Sequence, residues 1–169
     1  MTLLQPSVGS PEFWAGSGFE DKLLQAQGDF SLNAGQHSVT YLPSSDTAAT
    51  ARYQVLLYDN NFGAAESYPK FDWGQLGAAV VTDYSKGTHS FGRIFTVDVT
   101  ARTYELVDQI AVPFSSYVSS AQRVGDSNSM LVASGQAKTF TEYDRYGLPI
   151  ATYEMEAEKY IYRVYKYEL

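Results

Sequence analysis

The sequence predicts an all-β protein, and three observations indicate this class. The 169 residues include 14 Tyr, 9 Phe and 2 Trp, and aromatic residues between Gly, Ser and Asp turns favour strands. The segment 103–112 alternates apolar and polar side chains, which is the period of a half-buried strand. Strand patterns separated by turn residues also follow one another from Gln36 to the C-terminus. A chain of this length predicts one sizeable domain.

Charge and composition argue against several classes of protein. The 12 basic and 19 acidic residues sum to −7 without any Lys/Arg-rich run, which argues against nucleic-acid and anionic-membrane partners. Cysteine is absent, so disulfides and thiolate metal sites are excluded. No apolar run approaches the roughly 18–20 residues of a membrane span, and Met1–Pro6 shows no signal-peptide pattern.

Taken in order, the chain begins with a lead-in loop over residues 1–34. Within it, Ser17 and Glu20 fit a capping box, which predicts one short helix running to Leu24. The strand signals that follow are 37–43, 52–58, 91–98, 102–112, 117–124, 129–134, 137–143, 149–155 and 160–167.

A weak internal repeat groups these strands. Phe95–Asp98 with its following turn matches Phe140–Asp144, at a spacing close to the roughly 40–50 residues of a four-stranded propeller blade. The repeat predicts two antiparallel four-stranded blades, 37–112 and 117–156, and a closing strand over 159–169. Since a propeller typically needs about four to eight blades, the chain is expected to form the C-terminal portion of one.

The first predicted blade carries an inserted loop over residues 61–88, which are rich in Gly, Ser, Pro, Asp and aromatics. In an up-and-down blade, the entry to the first strand and the loop after the second strand lie on the same rim. The insertion is therefore expected beside His37. It is either a lid over that face or a surface elaboration, and the sequence leaves both open.

Few residues are candidates for chemistry. Of the two histidines, His89 has no distinguishing context and is interpreted as structural. His37 stands at the mouth of the first blade, after Gly35 and beside Gln36, whose amide could orient the ring. The stretch from Asp59 to Glu66 lacks full calcium-loop spacing and is interpreted as a turn, so no metal site is predicted.

Several short motifs, in order, resemble those of one family. Gln36-His37 and Leu57-Tyr58-Asp59-Asn60 resemble the Gln-His and Leu-Phe-Asp-Asn-Gly pair of bacterial, PAPS-independent aryl-sulfate sulfotransferases, which are six-bladed β-propellers. Supporting similarities are Tyr84–Lys86, Arg93–Asp98, Tyr117–Ser120 with Gly135, and Tyr162–Lys166.

The resemblance implies sulfuryl transfer from an aryl sulfate to a phenolic acceptor. His37 takes the place of the family's nucleophile, which forms a sulfohistidine, and Gln36, Asn60 and Tyr84 are implied substrate-binding residues. No cofactor is implied, and the family indicates a periplasmic or secreted protein. The family's other cationic groups lie upstream, so this chain is expected to need an N-terminal propeller portion or another copy of itself.

The sequence departs from the family pattern at three positions. Tyr58 stands where Phe is usual, Asn61 where Gly is usual, and Lys86 where Arg is usual; Lys cannot make a bidentate contact to an oxyanion. Two other classes therefore stay open. One is a non-catalytic β-propeller or β-sandwich module that binds a ligand or protein through aromatic loops. The other is a remnant that folds only by oligomerising.

Overall fold

A computed structural model describes residues 3–4, 23–30, 33, 35–42, 51–62, 89–125 and 128–167. Over these residues the protein is all-β, with antiparallel four-stranded units, which confirms the predicted class. The strands are Leu3–Leu4 (β1), Leu23–Gln27 (β2), Gln36–Leu42 (β3), Arg52–Asp59 (β4), His89–Asp98 (β5), Thr103–Pro113 (β6), Ser120–Val124 (β7), Ser129–Ser134 (β8), Thr139–Tyr143 (β9) and Pro149–Glu154 (β10).

The first sheet has the strand order β1-β2-β6-β5-β4-β3. Strands β3 to β6 form an antiparallel meander, and β2 and then β1 extend it in parallel beyond β6. The alternation in β6 leaves Tyr104, Ile110 and Val112 buried, whereas Val107 is exposed. A β-bulge at Val107, opposite the step from Ile94 to Phe95, changes the face of the sheet to which alternate residues point, so Tyr104 faces one core while Ile110 and Val112 face the other. Period-two patterning holds on each side of this bulge.

The second sheet is the antiparallel order β10-β9-β8-β7. Every residue of β8 is buried, so this strand is covered on both faces. That explains why Met130–Ala133 is a continuous apolar run rather than an alternating one.

One core joins the two sheets. Leu56, Tyr58, Ile94, Ile110 and Val112 of the first sheet pack with Ala121, Met130, Val132 and Tyr143 of the second. Gly92 permits the close approach, because a Cβ there would lie 2.9 Å from the Met130 Sδ and 3.1 Å from a Val132 methyl carbon. The sheets therefore pack face to face as one folded unit.

The opposite face of the first sheet carries a second core. It contains Leu24, Leu57, Phe95, Val97 and Tyr104, with Phe30 packed against them. The predicted helix ending at Leu24 is wrong at its last two residues, which begin β2; the rest of that segment lies outside the described residues. Leu24 is 2 % exposed, and its burial with Tyr104 of β6 favours the extended conformation at this end of the predicted helix.

The predicted closing strand over 160–167 does not form a strand. This segment instead runs parallel to β7 on the face turned away from the first sheet. The Ser120 hydroxyl bonds both backbone polar groups of Val164 at 3.1 and 3.2 Å, and the Gln122 amide bonds both of Lys166 at 2.8 Å. At Val164 and Lys166, side chains thus take the place of a backbone ladder, whereas the Tyr162 carbonyl accepts the Ser119 backbone N–H at 3.1 Å.

Two further expectations concern the strand predicted over 117–124 and the insertion over 61–88. The strand predicted over 117–124 starts only at Ser120, because Val118 and Ser119 have positive φ angles of 56° and 92°, which strands do not accommodate. The insertion beyond Phe62 lies outside the described residues, so its role as a lid stays a prediction.

No helix within the described residues is long and apolar enough to cross a membrane.

Candidate functional site

His37 lies in the first strand of the meander, opposite Tyr58. A β-bulge follows it, with Ser38 in the left-handed region at φ 53°. Bulges interrupt the ladder and re-aim side chains. The half-buried imidazole reaches the loop after β4, where its Nδ1 contacts the side-chain oxygen of Asn60.

Asn60 is fully buried and its amide orientation is fixed by its surroundings. The Nδ2 group donates to the carbonyl oxygens of Ser115 at 2.7 Å and Val118 at 3.1 Å. Since carbonyl oxygens only accept hydrogen bonds, the amide nitrogen must face them and Oδ1 must face His37. The Asn60 backbone N–H also donates to the Gly35 carbonyl at 3.2 Å.

The contacts at His37 determine which ring nitrogen carries the proton. Its Nδ1 faces the Gly35 carbonyl at 3.3 Å as well as the Asn60 oxygen. Both neighbours only accept, so Nδ1 is assigned from this network as the N–H donor. In the neutral form of the ring the lone pair is therefore on Nε2, the nitrogen that neither Gly35 nor Asn60 contacts.

A cluster of buried serines makes hydrogen bonds with Asn60 and with one another. The Ser90 hydroxyl lies 3.0 Å from the Asn60 carbonyl oxygen, and accepts the Ser115 N–H at 2.9 Å. The Ser119 hydroxyl donates to the Ser115 hydroxyl at 3.0 Å and accepts the Gly135 N–H at the same distance. Sequence reasoning missed this cluster, whose one sequence signal is the two Ser-Ser pairs at 115–116 and 119–120.

A buried ion pair fixes the end of β4 next to the site. Arg93 and Asp59 are 1 % and 0 % exposed, and their Nη1 and Oδ2 atoms are 3.0 Å apart. Arg93 also donates from Nε to Gln109 at 2.8 Å, and Asp59 Oδ1 accepts the Asn61 N–H at 3.0 Å. Burial lowers the pKa of Arg93, and the Asp59 charge opposes that shift.

Tyr58 lies beside the serine cluster. Its hydroxyl is 3.1 Å from the Ser134 hydroxyl, and burial raises the pKa of Tyr58 above its ordinary value. The phenol is therefore neutral at physiological pH. It acts as a packed hydrogen-bonding group beneath the site.

Only some of the predicted site residues come together in the structure. It brings His37 and Asn60 into contact, but the Gln36 side chain is exposed and has no bond to the ring among the described contacts. The expectation that Gln36 orients the imidazole is therefore wrong; Asn60 does so. Tyr84 lies outside the described residues. His89 is exposed, and its carbonyl accepts the Asn61 amide at 3.0 Å.

Metal ligands do not cluster within the described ranges, where no group of three His, Cys, Asp or Glu side chains could hold an ion. Asp59, the first residue of the faint calcium pattern, is already engaged by Arg93 and by the Asn61 N–H.

Fold and site together define an all-β protein in which one imidazole, that of His37, is oriented by hydrogen bonds at the start of a strand. The model of the arylsulfotransferase (ASST) family matches residues 4–165, so the chain belongs to the arylsulfotransferase family. Membership confirms the resemblance and supports aryl sulfotransferase activity in general terms. A comparison with curated proteins found no significant match.

Proposed function

We propose that the protein transfers a sulfuryl group from an aryl sulfate to a phenolic acceptor, with Nε2 of His37 as the nucleophile. The observation that carries this proposal is the hydrogen bonding of Nδ1 to acceptors alone. With Nδ1 as the donor, the neutral form of the ring has its lone pair on Nε2, and that lone pair is what covalent catalysis requires.

In the first half-reaction, the Nε2 lone pair attacks the sulfur of the aryl sulfate. The bond between sulfur and the aryl oxygen breaks, and its electron pair leaves with the phenolate. The ring then carries a positive charge, which Asn60 stabilises by accepting the Nδ1–H bond, because hydrogen bonds from an ionised donor are the stronger kind.

In the second half-reaction, the oxygen of an acceptor phenol attacks the same sulfur and loses its proton to solvent. The bond between nitrogen and sulfur breaks, and its electron pair returns to Nε2. Since the enzyme holds the group between two substrates, the reaction should show ping-pong kinetics.

Sulfuryl oxygens also need positive partners in the transition state. Arg93, the cation beside the site, is committed to Asp59 in the protein interior. We infer that an N-terminal propeller portion or another copy of the chain supplies those donors, with the two sheets as blades of a six-bladed ring. A periplasmic or secreted location belongs to the same proposal.

The test is to incubate the chain with 4-nitrophenyl sulfate and phenol, with and without a separately produced N-terminal portion. We expect nitrophenol release together with a mass increase equal to one sulfuryl group on the peptide that contains His37. His37→Ala should abolish both, while the matched control His89→Ala should retain both, since His89 is exposed.

Nitrophenol release at the native rate by His37→Ala would overturn the proposal. Binding of the aryl sulfate without release or adduct, under both conditions, would instead identify the chain as a non-catalytic binding module.

A further inference from the structure

The C-terminal segment uses one side of its backbone and leaves the other side open. Both backbone polar groups of Val164 bond to the Ser120 hydroxyl, and both groups of Lys166 bond to the Gln122 amide. Contacts at every second residue are typical of an extended chain, in which the backbone groups of successive residues point to opposite sides. Val164 and Lys166 therefore turn their backbone groups toward β7.

Three residues of the segment, Arg163, Tyr165 and Tyr167, turn their backbone groups the other way; we call them the open row. Their N–H and C=O groups have no partner in the part of the chain that the structure describes. The rings of Tyr165 and Tyr167 are 6.3 Å apart between centroids, as expected of two side chains on one face of an extended segment. An extended segment with one unpaired row of backbone groups is a site for the addition of another strand.

The segment lacks the features that usually prevent such an addition. Natural edges are protected by proline and by charged side chains, lysine above all. Residues 160–167 contain no proline, and Lys166 is paired with Glu142 at 2.8 Å. The guanidinium of Arg163 lies over the ring of Tyr162, 5.0 Å from its centroid. The remaining residues are mostly tyrosines, which favour strands.

We propose that the open row pairs with the open row of a second copy of the chain, antiparallel, about a two-fold axis at Tyr165. Tyr165 then faces its own copy, and Arg163 faces the partner's Tyr167. Each pair exchanges both of its N–H···O=C bonds at a Cα separation of about 5.5 Å. The same residues serve both copies, as a closed dimer with two-fold symmetry requires.

The side chains of the open row favour a second copy as the partner. Facing tyrosines form an aromatic cross-strand pair. Tyr162 covers one face of the Arg163 guanidinium, which leaves the other face for the partner's Tyr167. An axis at Arg163 would instead set two guanidiniums directly opposite each other, which is destabilising. The open row is therefore self-complementary in the register centred on Tyr165.

The test exchanges charges at the two-fold axis and measures the mass of the full chain by analytical ultracentrifugation over a range of concentrations. The native chain should reach twice its mass of 18.7 kDa. Tyr165→Lys and Tyr165→Glu each place like charges opposite each other and should raise the Kd of the dimer by roughly tenfold. An equimolar mixture of the two variants should form the mixed dimer with an affinity close to the native one, and native mass spectrometry should detect it.

Tyr146→Lys is the matched control for Tyr165→Lys. It makes the same change in net charge at a 71 % exposed tyrosine outside the segment, and should leave the Kd unchanged. Hydrogen exchange then identifies the surface. The Tyr165 amide should gain protection as the protein concentration rises, because its N–H is bonded only in the dimer. The Val164 amide, bonded to Ser120 within one copy, should be protected at every concentration and in both Tyr165 variants.

A native chain that stays monomeric would overturn the proposal. A dimer whose Kd is unchanged in both Tyr165 variants would overturn it too, as would a mixture of the variants that stays monomeric. Protection of the Tyr165 amide that appears only with a separately produced N-terminal portion would show that this portion, and not a second copy, supplies the strand. All these measurements are independent of sulfuryl transfer at His37, so their failure would leave the proposed function standing.

Discussion

At the scale of single residues, the buried amide of Asn60 determines what His37 can do. One side of the amide is fixed by two backbone carbonyls, so its other side can only accept the imidazole proton. Partners that hold a histidine ring in this way set both its tautomer and its orientation.

We expect Asn60→Ala to lower the rate of sulfohistidine formation by about tenfold or more. Nitrogen-15 NMR should show His37 as the Nδ1-protonated tautomer in the native chain and as a mixture in the variant. Asn61→Gly is the matched control: it removes a neighbouring amide at a residue with φ 53°, and His37 should keep its tautomer. A mixture of tautomers in the native chain would contradict the assignment.

Tyr104 gives a prediction for pH dependence. It is 3 % exposed between the rings of Phe30 and Phe95, and burial raises the pKa of Tyr104 from 10.0 to about 12. The unfolded chain therefore loses this proton first as pH rises. The contribution to the free energy of unfolding is complete below pH 10 and falls between pH 10 and 12, by about 2–3 kcal/mol.

Urea unfolding of the native chain and Tyr104→Phe over this pH range checks the prediction. The variant cannot ionise at this position, so the difference in stability between the two proteins should shrink from pH 10 to 12. Parallel stability curves would contradict the raised pKa.

At the scale of elements, the ion pair between Arg93 and Asp59 joins β4 to β5, and Gln109 extends it to β6. Both charges are buried, so removal of one partner takes the nearest counter-charge away from the other in the protein interior. The pair thus holds the end of β4 from which Asn60 reaches His37.

Arg93→Met is expected to lower the free energy of unfolding by about 3–5 kcal/mol. Asp59→Asn keeps an oxygen for the Asn61 N–H while removing the charge. The double variant should therefore be more stable than Arg93→Met alone, which a double-mutant cycle by urea unfolding measures. Strictly additive losses would show that the two residues do not interact.

A second prediction at this scale concerns Gly135. A side chain there would collide with the Ile161 carbonyl oxygen and with a Val118 methyl carbon at 2.4 Å. Gly135→Ala should therefore displace the C-terminal segment and remove hydrogen-exchange protection from the Ile161 amide. Gln136→Ala, which leaves this approach unchanged, should keep that protection. Equal protection in native protein and Gly135→Ala would contradict the close contact.

At the scale of the whole molecule, the shared core makes the two sheets one folding unit. Ile94 of β5 is 1 % exposed in this core, and its truncation leaves a cavity that both sheets border. We expect Ile94→Ala to cost about 2–5 kcal/mol. Amides of β5 and β8 should lose protection in one cooperative transition.

Val107→Ala provides the comparison, because Val107 is 46 % exposed and its truncation should change the stability by no more than about 0.5 kcal/mol. Separate transitions for the two sheets, observed by hydrogen exchange at β5 and β8, would show that the core does not couple them.

The strands were predictable because alternation and turn residues are local signals. The predicted 52–58 and 129–134 differ from β4 and β8 by at most one residue. Two of the failures, at Leu24 and over 160–167, involve segments whose conformation is set by distant partners. Leu24 joins a sheet through β6, and Ser120 and Gln122 hold the C-terminal segment from 44 residues away.

The sequence by itself determined the all-β class, the approximate positions of most strands from Gln36 onward, and the motif that marks His37. Tertiary structure alone decided that Asn60 and not Gln36 orients the imidazole, since the amide is fixed by carbonyls 55 and 58 residues away. It also decided that side chains of β7 hold the C-terminal segment. The physical reason is that residue type and spacing encode local conformation, whereas the partner of a buried polar group is selected by packing between segments far apart in the chain.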